Sequence, residues 1–567
     1  MKQRISYPVA HVWIALLAII ALGMILWLGA PVLYMDDWTV LGLLQKVRSG
    51  TAGFRDFWAT YNEHRIFLPR LFYVAAYETR GLDPRPLMWL SWLVMATCVV
   101  IACRQFFLRA DDGVAARRKS AYAIAFAAVL FAIVQYENWL WGFELQIFLT
   151  QAFVLLASVI LGIGSFRFST KVFWVGVCAV GASCSNGQGI LLWVCATVGL
   201  LVVARTWQWR IAVSGVYLAG FLFFVWQYGI DPGRLRQGPG FNWVLQRPSD
   251  FARAFFALVG SPLTYWAGSR RLLFAPAVGF LVSICCLLQS VLVLRAGRLR
   301  SAAPFVVLCS FGFLFCGLVA FGRGIHGYNE WFMTSRYTTH ALLIPAGMLG
   351  LDWVLSCRAG ETDTRRWHLF RGALFLLMPI LVVAGTWQAI AWAAEDSSAR
   401  QFTSQLIPLV SEIDPAVDGM PTGPFYPLCP VDNSKVIEWG IGPALANGLL
   451  NQEPVKRSTI SVTHFEMQCD SKSRGTEYLG HRIYAKQLSG LVAVPRECQP
   501  NALLVRKKEG IVIAAALHRT SPVNTDPNIY RWSIPVTSTL ESTDFREGDF
   551  ALYGWENGHT LWEIQTK

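Results

Sequence analysis

VAHVWIALLAIIALGMILWLG, residues 9–29, runs almost directly into PVLYMDDW, residues 31–38. The first stretch contains no Asp, Glu, Lys or Arg. It matches the roughly 20 apolar residues that a helix needs to cross a bilayer. The second stretch places two carboxylates, Asp36 and Asp37, and the indole of Trp38 at the exit of that helix. Acids beside hydrocarbon are costly and therefore need a reason. They can be solvated loop residues, or one can cap the helix that follows through its side chain. The sharper alternative is a catalytic or metal-binding acid pair at the membrane surface.

Working outward, the same hydrophobic pattern recurs. The chain has 567 residues, 54% hydrophobic and only 15% charged, a balance that excludes an ordinary soluble globular protein. Apolar runs predict a polytopic α-helical membrane protein with about eleven spans between residues 1 and 390. The first loop is long, 30–86; Val40–Val47 and Phe54–Phe57 read as short amphipathic pieces in the interface. Ile66–Tyr77 is too short to span. Phe251–Trp266 reads as a half-helix interrupted at Ser261-Pro262.

The net charge of +13 is unevenly spread. From Glu395 onward there are 16 Lys+Arg against 20 Asp+Glu, so the basic excess lies in the membrane half. That fits the positive-inside rule and anionic lipid headgroups, and argues against nucleic acid as a partner. Met1-Lys2-Gln3-Arg4 before the first run reads as a retained signal anchor with its N-terminus in the cytoplasm. With that start, the five even-numbered spans end in the cytoplasm, and each runs into a short loop bearing Lys or Arg. Eleven spans then leave residues 391–567 outside. There, alternating apolar and polar runs such as Leu503-Leu504-Val505-Arg506 and Ile511-Val512-Ile513-Ala514 predict an extracytoplasmic β-sandwich-like domain. It holds Cys429, Cys469 and Cys498; one pair can form a disulfide, Cys429 with either Cys469 or Cys498. The other ten of 13 cysteines fall in or beside apolar runs and read as small buried hydrophobes.

This topology gathers a distinctive set of side chains on the outer face: Asp36, Asp37 and Trp38, Glu63-His64-Arg65, Glu137-Asn138, Arg323, and Arg336-Tyr337. A second acid pair, Asp111-Asp112, lies beside Arg117-Arg118-Lys119 on the inner face. A solvated surface explains that pair, so an acidic dipeptide alone decides nothing. Outside the cytoplasm, glycosyl transfer must draw on a sugar already carried by a membrane lipid, because nucleotide sugars are absent. Such chemistry needs a carboxylate base for the acceptor hydroxyl. It also needs cations for the departing phosphate, a role the guanidinium fork suits. Asp36, Asp37 and Glu63 fit the acid roles, and Arg65, Arg323 and Arg336 the phosphate role. Trp38, His64, Glu137, Asn138 and Tyr337 fit sugar contact. A hard divalent ion, magnesium or manganese, held by Asp36 and Asp37 would share the charge.

An acid pair in the first outer loop directly after span one, a long loop with interfacial helices, eleven spans and an outer C-terminal domain together resemble the GT-C superfamily of integral-membrane glycosyltransferases. The resemblance covers residues 1–390. It implies a polyprenyl-phosphate sugar donor and an envelope glycan or lipid-linked acceptor. It also implies location in a bacterial cytoplasmic (inner) membrane, in O-antigen-modifying or cell-wall polysaccharide biosynthesis. Asp36 is implied as the base, with Asp37 as its partner or a metal ligand. A transporter or flippase, or an export scaffold for envelope polysaccharide, is the alternative; spans nearly free of charge and the lack of an internal repeat count against transport.

Overall fold

The computed structural model describes residues 8–61, 64–109, 115–228, 240–323, 333–357 and 365–406, together with strands between 456 and 566. These residues fall into two compact units. The first comprises residues up to Gly29, Gly53–Ala75 and Arg85–Glu395; the second comprises Ala30–Ala52, Ala76–Pro84 and the chain from Asp396.

The first unit is a helical bundle, as a polytopic membrane protein requires. Nine helices among the described residues are long and apolar enough to cross a membrane, from Pro8–Leu28 to Phe375–Ala394. They correspond to nine of the eleven expected spans; the other two, spans five and six, are shorter helices. Phe168–Ser183 and Gly187–Val203 are apolar but shorter, about 25 Å each at 1.5 Å per residue against a hydrocarbon core of about 30 Å. The chain turns between them at Ser185–Ile190. There the Asn186 side chain accepts the Gln188 N–H at 3.0 Å, and a Cβ on Gly189 would lie 1.9 Å from the Ala182 carbonyl oxygen.

Elsewhere the elements match the pattern. The first-loop helices are Leu41–Arg48, Phe54–Trp58 and Phe67–Arg80. Pro248–Gly260 ends in a 3-10 turn over Ser261–Leu263. The longest helices, Arg271–Arg295 and Leu299–Arg323, have 25 residues each.

Two groups of long-range polar contacts hold the bundle. At one end, Arg298 Nη1 donates to the carbonyls of Val354 and Leu355 at 2.8 and 2.9 Å, and Arg118 Nη1 reaches the Ser356 carbonyl at 3.5 Å. These are the last carbonyls of the Leu343–Ser356 helix, which have no partner within the helix and face its negative dipole end. Beside them the Tyr122 hydroxyl donates to Asp352. Residues that follow spans two and eight in the chain therefore meet the end of span ten. The second group joins the opposite ends of spans three and ten and is built up below.

In the second unit, the described backbone from Lys456 comprises nine strands: β1 (Lys456–Val462), β2 (His464–Phe465), β3 (Gln468–Tyr478), β4 (His481–Ala493), β5 (Ala502–Lys507), β6 (Gly510–Arg519), β7 (Ile529–Val536), β8 (Phe550–Glu556) and β9 (Thr560–Thr566). They pair in the order β1-β9-β8-β5-β6-β7-β4-β2, with β3 on β4. Only β1 and β9 run parallel; in that pair Lys456 lies opposite Thr560.

Candidate functional site

The acid pair lies in a 3-10 segment, Met35–Val40. Asp37 Oδ2 accepts the Tyr34 N–H at 3.0 Å, and the Asp37 N–H donates to the Tyr34 carbonyl at 3.0 Å. The second carboxylate oxygen, Oδ1, accepts the Tyr77 hydroxyl at 3.2 Å. Asp37 is 1% exposed. Burial pushes its carboxyl up from 3.8 to about 7, against the downward pull of the Tyr34 N–H, the Tyr77 hydroxyl and the Arg400 charge. Arg400, in the Thr386–Leu406 helix, lays its guanidinium 3.8 Å from the Tyr34 ring centre and pairs with Asp396 at 3.3 Å. Asp36 differs from its neighbour. It is only half-buried, and its carbonyl accepts the Thr39 hydroxyl at 2.7 Å. Trp38 is 2% exposed and packed inward, its indole N–H without an acceptor, so the ring offers no open face to a sugar. The pair thus divides into a buried carboxyl that fixes the turn and a more accessible one beside it.

Arg65 is built into the chain's own structure. Its guanidinium donates to the carbonyls of Trp58 and Gln227 and lies over the Trp58 and Tyr228 rings at 4.9 and 6.0 Å. His64 and Tyr61 exchange backbone hydrogen bonds at 2.7 Å. Next to Trp58 an apolar cavity of about 580 Å³ is lined by Phe67, Leu68, Cys184, Trp193 and Phe224. Glu63 lies outside the described residues. So do the side chains of Cys429, Cys469 and Cys498, and with them the disulfide expectation.

Glu137, Asn138, Arg336 and Tyr337 do come together. Glu137 Oε2 accepts the Arg336 N–H at 3.1 Å, and its Oε1 lies 3.7 Å from Arg336 Nε. The Glu137 N–H donates to the Ser335 hydroxyl at 3.2 Å, which itself donates to the Val134 carbonyl at 2.9 Å. Asn138 Nδ2 donates to the Arg336 carbonyl at 2.9 Å and to the Thr339 hydroxyl. The Arg336 guanidinium lies 5.8 Å from both the Trp141 and Tyr337 rings. Glu137 and Asn138 are buried, so this hairpin is not a polar turn in water; its partners lie about 200 residues away in sequence. Arg323 sits exposed at the end of its helix.

Three buried residues that stand out in the fold, Arg400, His340 and Arg271, are not singled out by the sequence. Arg400 stands near Asp37. His340 is fully buried between the edges of Phe311 and Phe315, with neither ring nitrogen hydrogen-bonded. Arg271 is buried on the rings of Tyr265 and Trp392. The only available signal was a charge at the edge of an apolar run, which reads first as a headgroup anchor.

For a divalent cation the donor set fits poorly. Both Asp37 oxygens are already hydrogen-bonded, and among the described residues no three His, Cys, Asp or Glu side chains converge. Hard cations take six or more oxygen ligands, so no step is routed through a metal. Compared with family models, curated proteins and solved structures, the chain matches none.

Proposed function

We propose that this chain is a membrane glycosyltransferase. It moves a sugar from a polyprenyl-phosphate donor to an envelope glycan or lipid-linked acceptor, at the extracytoplasmic face of a bacterial cytoplasmic membrane. The observation that carries this reading is the fixed acid pair directly after the first membrane helix, with Asp37 locked by Tyr34 and Tyr77 and Asp36 more accessible. In the reaction, Asp36 takes the proton of the acceptor hydroxyl as its oxygen attacks the anomeric carbon. The bond from that carbon to the phosphate oxygen breaks, and the electron pair leaves with the lipid phosphate, inverting the centre. An Asp37 carboxyl that keeps its proton near neutrality does not repel the charge its neighbour needs. Such a split between paired carboxylates is how acid and base roles separate.

Within the first unit, Arg336, oriented by Glu137 and Asn138, is the candidate ligand for a lipid phosphate, with the Tyr337 and Trp141 rings as surfaces for sugar. The contacts of Arg118 and Arg298 with the end of the Leu343–Ser356 helix support the orientation in which those ends face the cytoplasm. The Glu137–Arg336 cluster then faces outward.

The test is sugar transfer by membrane-embedded protein with a panel of polyprenyl-phosphate sugars, for wild type and Asp36→Asn. Transfer by wild type that falls at least about 100-fold in a folded Asp36→Asn variant is expected, the usual scale for loss of a general base. Equal transfer by both removes Asp36 as the base and leaves Glu63 or Glu137. With a competent acceptor present, no transfer from any donor overturns the reading in favour of a transporter, flippase or export scaffold.

A further inference from the structure

Arg271 opens the 25-residue helix Arg271–Arg295, entered through Gly268 at φ +55°. Its side chain is 8% exposed. The guanidinium lies 4.5 Å from the Tyr265 ring centre and 5.1 Å from that of Trp392. Among the described residues no carboxylate or carbonyl accepts from it. Arg65, by contrast, has two carbonyl acceptors, and Arg336 has Glu137. Tyr265 is fully buried. Its hydroxyl lies beside Arg271 and the Ser335 hydroxyl, close enough to feel the Glu137 charge, yet closes a hydrogen bond with neither neighbour. Through Tyr265, Arg271 therefore adjoins the Glu137–Arg336 cluster, whose carboxylate is engaged with Arg336.

Three independent features at this corner favour an anion. A buried guanidinium resting on aromatic faces has no carboxylate partner among the described residues, and a buried charge gains from a counter-ion. The buried Tyr265 hydroxyl is a donor without an acceptor. The positive end of the dipole of a 25-residue helix lies at the same corner. A planar fork with a neighbouring hydroxyl matches the tetrahedral oxygens of a phosphate.

We propose that Arg271, with the Tyr265 hydroxyl and the start of the Arg271–Arg295 helix, binds the phosphate group of a membrane lipid. This rests on the transferase reading for its choice of lipid, the polyprenyl phosphate. A phospholipid headgroup offers the same chemistry, and the experiment separates the two.

Full-length protein is reconstituted in phosphatidylcholine nanodiscs and titrated with a short-chain polyprenyl monophosphate, with binding read by the rise in melting temperature. A parallel set of nanodiscs contains phosphatidylglycerol and no polyprenyl phosphate. Wild type is expected to show a saturable rise, with half-saturation shifted about 10- to 100-fold in Arg271→Gln, the scale of a lost hydrogen bond to a charged group. A rise produced by phosphatidylglycerol alone and lost in Arg271→Gln upholds the phosphate site but assigns it to a headgroup. Half-saturation unchanged in Arg271→Gln, or no rise in either membrane, overturns the proposal. If Arg271→Gln does not fold, Arg271→Lys keeps the charge and loses the fork; its half-saturation must then shift about tenfold, and an unchanged value overturns the site. Arg271-dependent phosphate binding without sugar transfer from any donor leaves the site standing while the transferase reading falls. Transfer from a polyprenyl-phosphate sugar with unaltered binding in Arg271→Gln does the reverse.

Discussion

Replacing Asp37 by asparagine should change how stability depends on pH more than it changes stability itself. Burial raises this carboxyl in the folded protein from 3.8 to about 7. Between those values the folded chain holds a proton that the unfolded chain releases. The stabilisation is therefore complete below about pH 4, declines as pH rises towards 7 and is lost above it. At 1.36 kcal/mol per unit, a rise of about three units sets a ceiling of ~4 kcal/mol. The amide of Asp37→Asn would be neutral at every pH and close to the same shape as the carboxyl. Its oxygen can accept the Tyr34 N–H and its nitrogen can donate to Tyr77, whose hydroxyl need only rotate. The charged groups near the site, Arg400 and Asp36, stay in place. Wild type and Asp37→Asn should thus melt alike near pH 4.5, and the variant should melt higher at pH 8. Melting curves in nanodiscs, followed by the fluorescence of the chain's 24 Trp residues, give the comparison. Asp37→Leu serves as the contrast, because it strands the Tyr34 N–H and the Tyr77 hydroxyl at any pH, at about 1–3 kcal/mol each. A gap between wild type and Asp37→Asn of the same size at pH 5 and pH 8 would refute the reasoning, since no proton would then be taken up on folding.

Two further perturbations probe the bundle. Glu137→Gln removes the carboxylate beside Arg336 and should destabilise by about 2–4 kcal/mol, because it leaves a largely buried cation without its acid. Adding Arg336→Gln should recover part of that loss, and a double-mutant cycle of melting points that is additive would disprove the coupling. Arg298→Ala frees the carbonyls of Val354 and Leu355 and should cost about 1–2 kcal/mol. Hydrogen exchange should quicken in the last turn of the Leu343–Ser356 helix, and unchanged protection there would show that the arginine caps nothing.

Local pattern carried the helices and failed wherever a side chain's partner is distant in the chain. Apolar runs place the membrane helices because hydrophobic length is a property of consecutive residues, and the same logic finds the Leu41–Arg48 and Phe54–Trp58 pieces and the break at Ser261. The polar and glycine-rich stretch 185–189 marks the break between spans five and six, and the structure places a turn there between two helices of 16 and 13 residues. Glu137 and Asn138 look like an ordinary polar hairpin; only the return of residues 335–339 turns them into a buried cluster. The arginines show the limit most clearly. Arg65, Arg271 and Arg298 all stand near the ends of apolar stretches; of the three, only Arg65 stands out in the sequence as a phosphate candidate. In the fold, Arg65 donates to backbone carbonyls, Arg298 caps a helix, and Arg271 rests on two rings with no acceptor among the described residues. Their surroundings separate the three, and surroundings are set by packing between distant segments. An arginine that already donates to carbonyls of its own chain, as Arg65 does from Nη1 and Nη2, is largely accounted for as structure. One held buried without an acceptor keeps its binding capacity for something else, which is why a phosphate ligand is to be sought first at Arg271 and not at Arg65.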